Sequence, residues 1–174
     1  MTGKQIVIVC GWLLGLIVTP AQANDSLENR ATLKGLHAIL VTSFLEKNPD
    51  TQPDLTLEQI QTDVELRLRR AGVTVVDVLS LPKSFPNPPM SLSVTVRLFQ
   101  VPQQPLYVFT VCVAVEQAMY LARTMQFIPL HPTWSVDNMG VVGTGKIRAV
   151  RDHLGDLVDR FINDYLTENP KASQ

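Results

Sequence analysis

The chain has 174 residues, of which 45% are hydrophobic and 18% are charged, and its formal net charge at pH 7 is −1. Charged residues make up about 25% of typical soluble domains, so this composition excludes a disordered, highly charged chain. A near-neutral chain also lacks the basic footprint needed to bind nucleic acid or an anionic membrane surface.

Residues 1–23 have the three-part pattern of a secretory signal peptide. Lys4 supplies a short basic start, Ile6 to Val18 is an apolar run of 13 residues, and Ala21-Gln22-Ala23 is a small-x-small cleavage pattern. A membrane-spanning helix needs about 20 apolar residues, so the run is too short to span. We therefore expect cleavage after Ala23, a periplasmic or fully secreted location, and no integral membrane span after cleavage.

The remaining chain, from Asn24 onward, has the length of one domain. The pattern predicts a flexible polar start over 24–32, a single domain over 33–168 and a flexible tail over 169–174. Cleavage removes Cys10 and leaves Cys112 alone, which excludes an intramolecular disulfide. Because Cys112 lies in a run of valines, we expect a small, buried core residue.

The first elements of the domain are predicted to be a strand, a helix and a second strand. Gly35 to Leu45 is rich in β-branched and aromatic residues, which is typical of a strand. Thr56 and Gln59 have the spacing of a capping box, apolar residues recur after them at helical spacing, and Gly72 is a typical helix terminator. Val73 to Leu79 predicts the second strand, and a stiff proline-rich loop follows it.

Charged residues on this first long helix are predicted to form ion pairs on a solvent-facing side. The spacing favours Asp63–Arg67 and Glu65–Arg69 pairs. An alternative interpretation is a docking site for an acidic partner built from the arginines Arg67, Arg69 and Arg70.

A long β-hairpin is predicted over 90–123, with Pro102 to Pro105 as its four-residue turn. Met90 to Val101 alternates strictly between apolar and other residues, and Leu106 to Arg123 predicts its partner strand. If Val101 pairs with Leu106, one face becomes apolar and the other becomes small and polar. The resulting pairs are Leu98–Phe109, Val96–Val111, Val94–Val113 and Leu92–Val115 on the apolar face, and Arg97–Thr110, Thr95–Cys112, Ser93–Ala114 and Ser91–Glu116 on the other.

The last part of the domain predicts an interrupted segment, a strand and a helix. Thr124 to Pro132 contains two prolines, which indicates a loop or a disrupted sheet edge. Thr133 to Val142 predicts the last strand, with Trp134 as an anchor at a sheet edge. A long apolar stripe then predicts a helix from Thr144, which Gly155 should weaken by about 1 kcal/mol relative to alanine.

Together these elements predict an α+β fold with the order β-α-β-β-β-β-α. We expect a mainly antiparallel five-stranded sheet with both helices on one face, and a parallel first pair of strands. The opposite face of the sheet would then be open to water or to a partner.

No catalytic, cofactor or metal site is predicted. Gly140 to Lys146 matches the GxxxxGK start of a phosphate-binding loop, but Ile147 stands where that loop needs a serine or threonine for magnesium. Whether backbone amides at this helix start hold an anion stays open. The histidines lie at no metal-ligand spacing, and no serine has a nucleophile-elbow context.

The element order over 33–168 resembles the small α+β modules of bacterial envelope proteins, such as the amino-terminal domain of TolB. Two stretches, Asp63-Val64-Glu65-Leu66-Arg67-Leu68-Arg69 and Asp159-Arg160-Phe161-Ile162-Asn163-Asp164-Tyr165-Leu166, are similar to those of small uncharacterised exported bacterial proteins. The resemblance implies an envelope binding module rather than an enzyme, and the β-propeller that TolB carries has no counterpart here.

The sequence therefore predicts an exported, non-catalytic protein that acts as a protein-binding or accessory module in the envelope. Its partner would be another envelope protein, and the candidate partner surface comprises Arg97, Phe99, Val101 and Thr110. The alternative is a carrier that holds a small apolar ligand between sheet and helices. An enzyme with an unrecognised site is a third interpretation, and the oligomeric state stays open.

Overall fold

A computed structural model describes residues 26–48, 54–77 and 90–170. The described residues form one five-stranded sheet and three α-helices, with a single 3-10 turn over Thr144–Lys146. In chain order the elements are α1 (Leu27–Ala31), β1 (Ile39–Lys47), α2 (Leu57–Arg70), β2 (Val75–Val76), β3 (Ser91–Gln100), β4 (Leu106–Tyr120), β5 (Phe127–Gly143) and α3 (Arg148–Glu168). The predicted signal peptide, the end of the second strand, the proline-rich loop and residues 171–174 lie outside the described residues.

The sheet has the strand order β2-β1-β3-β4-β5 and is mixed. β1 pairs in parallel with both β2 and β3, whereas β3–β4 and β4–β5 are antiparallel. The α+β class and the parallel first pair are confirmed. The mainly antiparallel five-stranded sheet is also confirmed, since the antiparallel ladders join most of the paired residues. The sheet is not purely antiparallel, because β1–β3 is a second parallel pair, between strands whose contact has no local sequence signal.

The hairpin register is confirmed over its whole predicted length. Every predicted pair, from Ser91–Glu116 to Leu98–Phe109, is present. At the tip, the Val101 N–H donates to the Leu106 carbonyl at 2.9 Å. Gln103 in the turn has a φ of 60°, which closes the four-residue connection.

β5 is longer than predicted. It begins at Phe127 rather than Thr133, and its first part pairs with the end of β4 through two register shifts. Pro129 and Pro132 lie within this irregular part. They are compatible with it because β5 is an edge strand, where a missing backbone donor is tolerated.

Residues near both ends of the described domain are held by hydrogen bonds. The described part of the predicted flexible start, 24–32, contains the short helix α1, and its N-cap residue Ser26 accepts from the Asn29 N–H through its hydroxyl. At the other end, the Asn169 side chain donates to the Leu33 carbonyl at 2.8 Å and accepts from the Gly35 N–H at 2.7 Å. The stretch after α1 is therefore tied to the end of α3.

α2 has the predicted ends but different ion pairs. Thr56 and Gln59 form the predicted capping box, and Gly72 has a φ of 79° just beyond the helix. The Glu65–Arg69 pair is confirmed at 2.8 Å. The predicted Asp63–Arg67 pair is wrong, because both side chains bind residues of α3, which packs beside α2.

One apolar core fills the space between the sheet and the helices α2 and α3. Helix residues such as Ile60, Val64, Phe161 and Val158 pack there and are fully buried. The core-facing residues of the central strands are Leu92, Val94, Val96 and Leu98 on β3 and Phe109, Val111, Val113 and Val115 on β4. The two long helices therefore cover one face of the sheet, as predicted, and the other face carries the candidate site.

Candidate partner surface on the open sheet face

The predicted partner-surface residues lie together at the tip end of the β3–β4 hairpin. Arg97 is directly opposite Thr110, and Phe99 is opposite Val108. Val101 follows β3 and is bonded to Leu106 at the turn. Since the register alternates faces, Arg97, Phe99 and Thr110 are on the face opposite the core.

Neighbouring strands add three apolar side chains that the sequence pattern did not place on this surface. Met139 of β5 lies opposite Thr110, and Val141 lies opposite Val108. On the other side, Phe44 of β1 is the neighbour of Thr95 in the β1–β3 ladder. The alternation of Ser135, Asp137, Met139 and Val141 was a usable signal for β5, but the β1–β3 neighbours follow only from a long-range pairing.

Exposure is graded along this open face. Ser91 and Ser93, at the start of β3, are 5% and 9% exposed, although their side chains point away from the core. Towards the tip, Phe99 is 41% exposed, Met139 58% and Val141 52%. The tip therefore presents an apolar patch to solvent, which we call the tip patch and define as Phe99, Leu106, Val108, Met139 and Val141.

An ion pair between β3 and β1 lies beside the tip patch on the open face. The Arg97 Nε donates to Glu46 Oε2 of β1 at 2.8 Å, and both side chains are exposed. Such an exposed pair contributes little to stability, about 0–1 kcal/mol. Arg97 therefore remains available for a partner's carboxylate in place of that of Glu46.

Cys112 lies in the middle of the open face and is only half-buried, so the prediction of a buried core residue is wrong. The register places it between Thr95 and Asp137, on the face that α2 and α3 do not cover. Burial raises the pKa of the Cys112 thiol, and Asp137 and Glu116 raise it further while Arg97 opposes them. The thiol is therefore held in its unreactive, protonated form.

Two ion pairs join α2 and α3 on the side of the helix layer that faces away from the sheet. Arg67 bonds Asp159 at 2.8 Å, and Arg151 makes a two-pronged contact with Asp63 at 2.8 and 2.9 Å. A surface cleft of about 610 Å³ runs between these helices. The alternative of an acidic-partner site on α2 is weakened, because Arg67 and Arg69 already bind carboxylates of this chain.

The glycine-rich segment before α3 offers little to a phosphate. The Thr144 N–H already donates to the Pro105 carbonyl at 2.9 Å. Ile147 occupies the position where a phosphate-binding loop has a serine or threonine for magnesium. Its side chain packs against the core and therefore points away from any phosphate at the surface. Lys146 is exposed in the 3-10 turn.

The described histidines and carboxylates form no metal-binding group of three or more. His153 instead stacks on Phe109, with ring centroids 5.2 Å apart, and its Nδ1 lies 3.4 Å from the Asn138 side-chain nitrogen. This histidine has the environment of a packing residue at the margin of the core.

Comparison with protein families and with curated protein sequences gives no relative from which a function could be transferred. Neither a family model nor a curated protein sequence matches the chain. In the described ranges, none of the helices combines the length and the apolar content that crossing a bilayer requires.

Proposed function

We propose that this chain is an exported, non-catalytic module that binds another protein of the bacterial envelope through the open face of its sheet. The observation that carries the proposal is the tip patch, where apolar side chains from β3, β4 and β5 share an exposed face. Exposed contiguous apolar surface of this kind marks interaction sites in soluble domains. The signal-peptide pattern of residues 1–23 supports export, and the resemblance to envelope modules supports the class of partner.

The tip patch has the composition of a protein interface. Phe99 supplies a large aromatic side chain, Met139 supplies an adaptable apolar one, and Arg97 lies beside them with its guanidinium exposed. Aromatic residues, methionine and arginine are enriched in interface centres, whereas lysine and glutamate are depleted there. The same set would have no obvious use in acid–base or nucleophilic catalysis.

The alternative function, a carrier of a small apolar ligand, finds no supporting observation. The space between sheet and helices is filled by the core, where Val96, Val113 and Phe161 are fully buried. The 610 Å³ cleft lies between α2 and α3 and has a mixed lining, in which charged residues such as Arg70 and Asp152 accompany apolar ones such as Ile162. We therefore do not propose this function.

Site-specific photo-crosslinking in the producing cell tests the proposed function. A photoreactive phenylalanine analogue at Phe99 should give one dominant adduct with an envelope protein, and Arg97→Ala should reduce its yield. The matched control is the same analogue at Leu66, an exposed apolar residue of α2 on the opposite side of the domain. Equal adduct yields at the two positions, or no adduct at Phe99, would contradict the proposal.

A further inference from the structure

β5 is an edge strand, and half of its backbone polar groups face away from β4. The Thr144 N–H bonds the Pro105 carbonyl, and bonding residues alternate along an antiparallel ladder. Val142, Gly140, Asn138 and Val136 therefore bond inward to β4. The residues whose N–H and C=O groups point outward are Ser135, Asp137, Met139, Val141 and Gly143, and in the described part of the chain these groups have no hydrogen-bond partner.

Among the described residues, the second part of this edge has little of the usual protection against pairing with another strand. Natural edge strands are blocked by proline, by lysine or by bulges. Pro129, Pro132 and two register shifts protect the first part of β5. In contrast, 133–143 contains no proline, lysine or arginine, and its single charge is Asp137.

We propose that this edge pairs with the same edge of a second copy of the chain, antiparallel about a two-fold axis at Gly140. Met139 then lies beside the partner's Val141, and Val141 lies beside the partner's Met139. Asp137 lies beside the partner's Gly143, where no side chain is forced against the carboxylate. The sheet becomes continuous across the two copies, and each outward pair of residues exchanges two hydrogen bonds.

The pattern of the edge favours a second copy and this register. A two-fold interface must be self-complementary, and one short segment here supplies both members of each apolar pair. An axis at Met139 would instead set Asp137 beside the partner's Val141, a poor cross-strand pair. The open faces of both copies lie on the same side of the joined sheet, so the dimer would present two tip patches together.

Sedimentation equilibrium of the protein over a wide concentration range tests the proposal. We expect a reversible dimer, and we expect Met139→Lys or Val141→Glu to weaken association at least tenfold by placing a charge beside an apolar partner. Both side chains are more than half exposed, so the fold should tolerate the changes. Phe44→Lys, on the open face but at β1, is the matched control and should associate like the wild type.

A charge-swap mixture tests the register. Mixing Met139→Lys with Val141→Glu places opposite charges beside each other only when the axis is at Gly140, and association should then recover at least fivefold. Mixing Met139→Lys with Val141→Lys should give no recovery. A protein that stays monomeric, variants that associate like the wild type, or a charge-swap mixture without recovery would each overturn the proposal. None of these results depends on the crosslinks at Phe99, so the two proposals fail separately.

Discussion

The guanidinium of Arg67 lies directly against Gly155, where an added Cβ would come within 2.7 Å of Arg67 Cζ. Glycine costs a helix interior about 1 kcal/mol relative to alanine. Because Gly155 has no side chain, the Arg67 side chain of α2 can lie across the surface of α3 at this point and reach Asp159 at 2.8 Å. Gly155 thus serves the contact between the two helices.

The first prediction concerns the coupling between these two residues. In an Arg67→Ala background, Gly155→Ala should raise the free energy of unfolding by about 1 kcal/mol, because only the gain in helix propensity remains. In the wild-type background the gain should be smaller, because Arg67 must move and abandon Asp159. Denaturant melts of the four proteins give the coupling free energy. Equal gains in both backgrounds would show that Arg67 and Gly155 are independent.

The sequence predicted features that depend on neighbours along the chain. The hairpin register followed from strict alternation and a four-residue turn, because turn length fixes which residues face each other. The capping box of α2 followed from Thr56 and Gln59 for the same local reason. Both are confirmed in detail.

Features that depend on distant parts of the chain could not be predicted. The parallel β1–β3 pair brings Phe44 beside Thr95, but neither residue carries a signal for the other. Arg67 has acids at helical spacing, yet it binds Asp159 on a helix that begins far along the chain. The prediction of the candidate site therefore includes the residues of the β3–β4 hairpin. It lacks the residues that β1 and β5 contribute.

The second prediction concerns a buried carboxylate. Asp164 Oδ2 accepts from Trp134 Nε1 at 3.0 Å, and Arg30 lies 3.4 Å from the other oxygen. Asp164→Ala should lower the free energy of unfolding by about 1–3 kcal/mol, because it leaves the buried indole N–H without an acceptor. Asp164→Asn, which retains an acceptor oxygen, should cost less.

The exposed Asp156 on the same helix is the matched control for this measurement, made by denaturant melts. Asp156→Ala should change stability by no more than about 0.5 kcal/mol. If the Asp164 and Asp156 variants melt alike, the indole hydrogen bond contributes nothing measurable.

The third prediction concerns the reactivity of Cys112. Since burial, Asp137 and Glu116 raise the pKa of its thiol, the reactive thiolate is scarce at pH 7 to 8 and thiol labelling should be slow. The labelling rate should rise with pH and should still be rising at about pH 8.5, the usual thiol pKa, where the rate of an unperturbed thiol begins to level off. Asp137→Asn should accelerate labelling at a fixed pH, and Arg97→Ala should slow it. A rate that is fast at pH 7, or that does not respond to Asp137→Asn, would contradict this account.

The fourth prediction concerns export. The exported protein should begin at Asn24, because Ala21-Gln22-Ala23 closes an apolar run of 13 residues that is too short to span a membrane. Amino-terminal sequencing of the protein recovered from outside the inner membrane measures this directly. Recovery of a chain that starts at Met1 in the membrane fraction would mean that the segment anchors the protein.

The last prediction separates the two faces of the hairpin by one pair of substitutions. Val113 is fully buried, with Val94 and Val136 as its cross-strand neighbours. Val113→Asp should unfold the protein, because it places an unpaired charge beneath the helices. Arg97→Ala removes only the exposed contact with Glu46 and should lower stability by no more than about 1 kcal/mol.

Thermal melts of the two variants give the decisive comparison, with photo-crosslinking at Phe99 as the second readout. Because Arg97→Ala should melt almost like the wild type, any loss of adduct at Phe99 can be assigned to the partner surface rather than to unfolding. If Arg97→Ala melts as early as Val113→Asp, both faces of the hairpin are buried in the native protein. The open face would then be excluded as the partner surface, since a covered face cannot receive a partner.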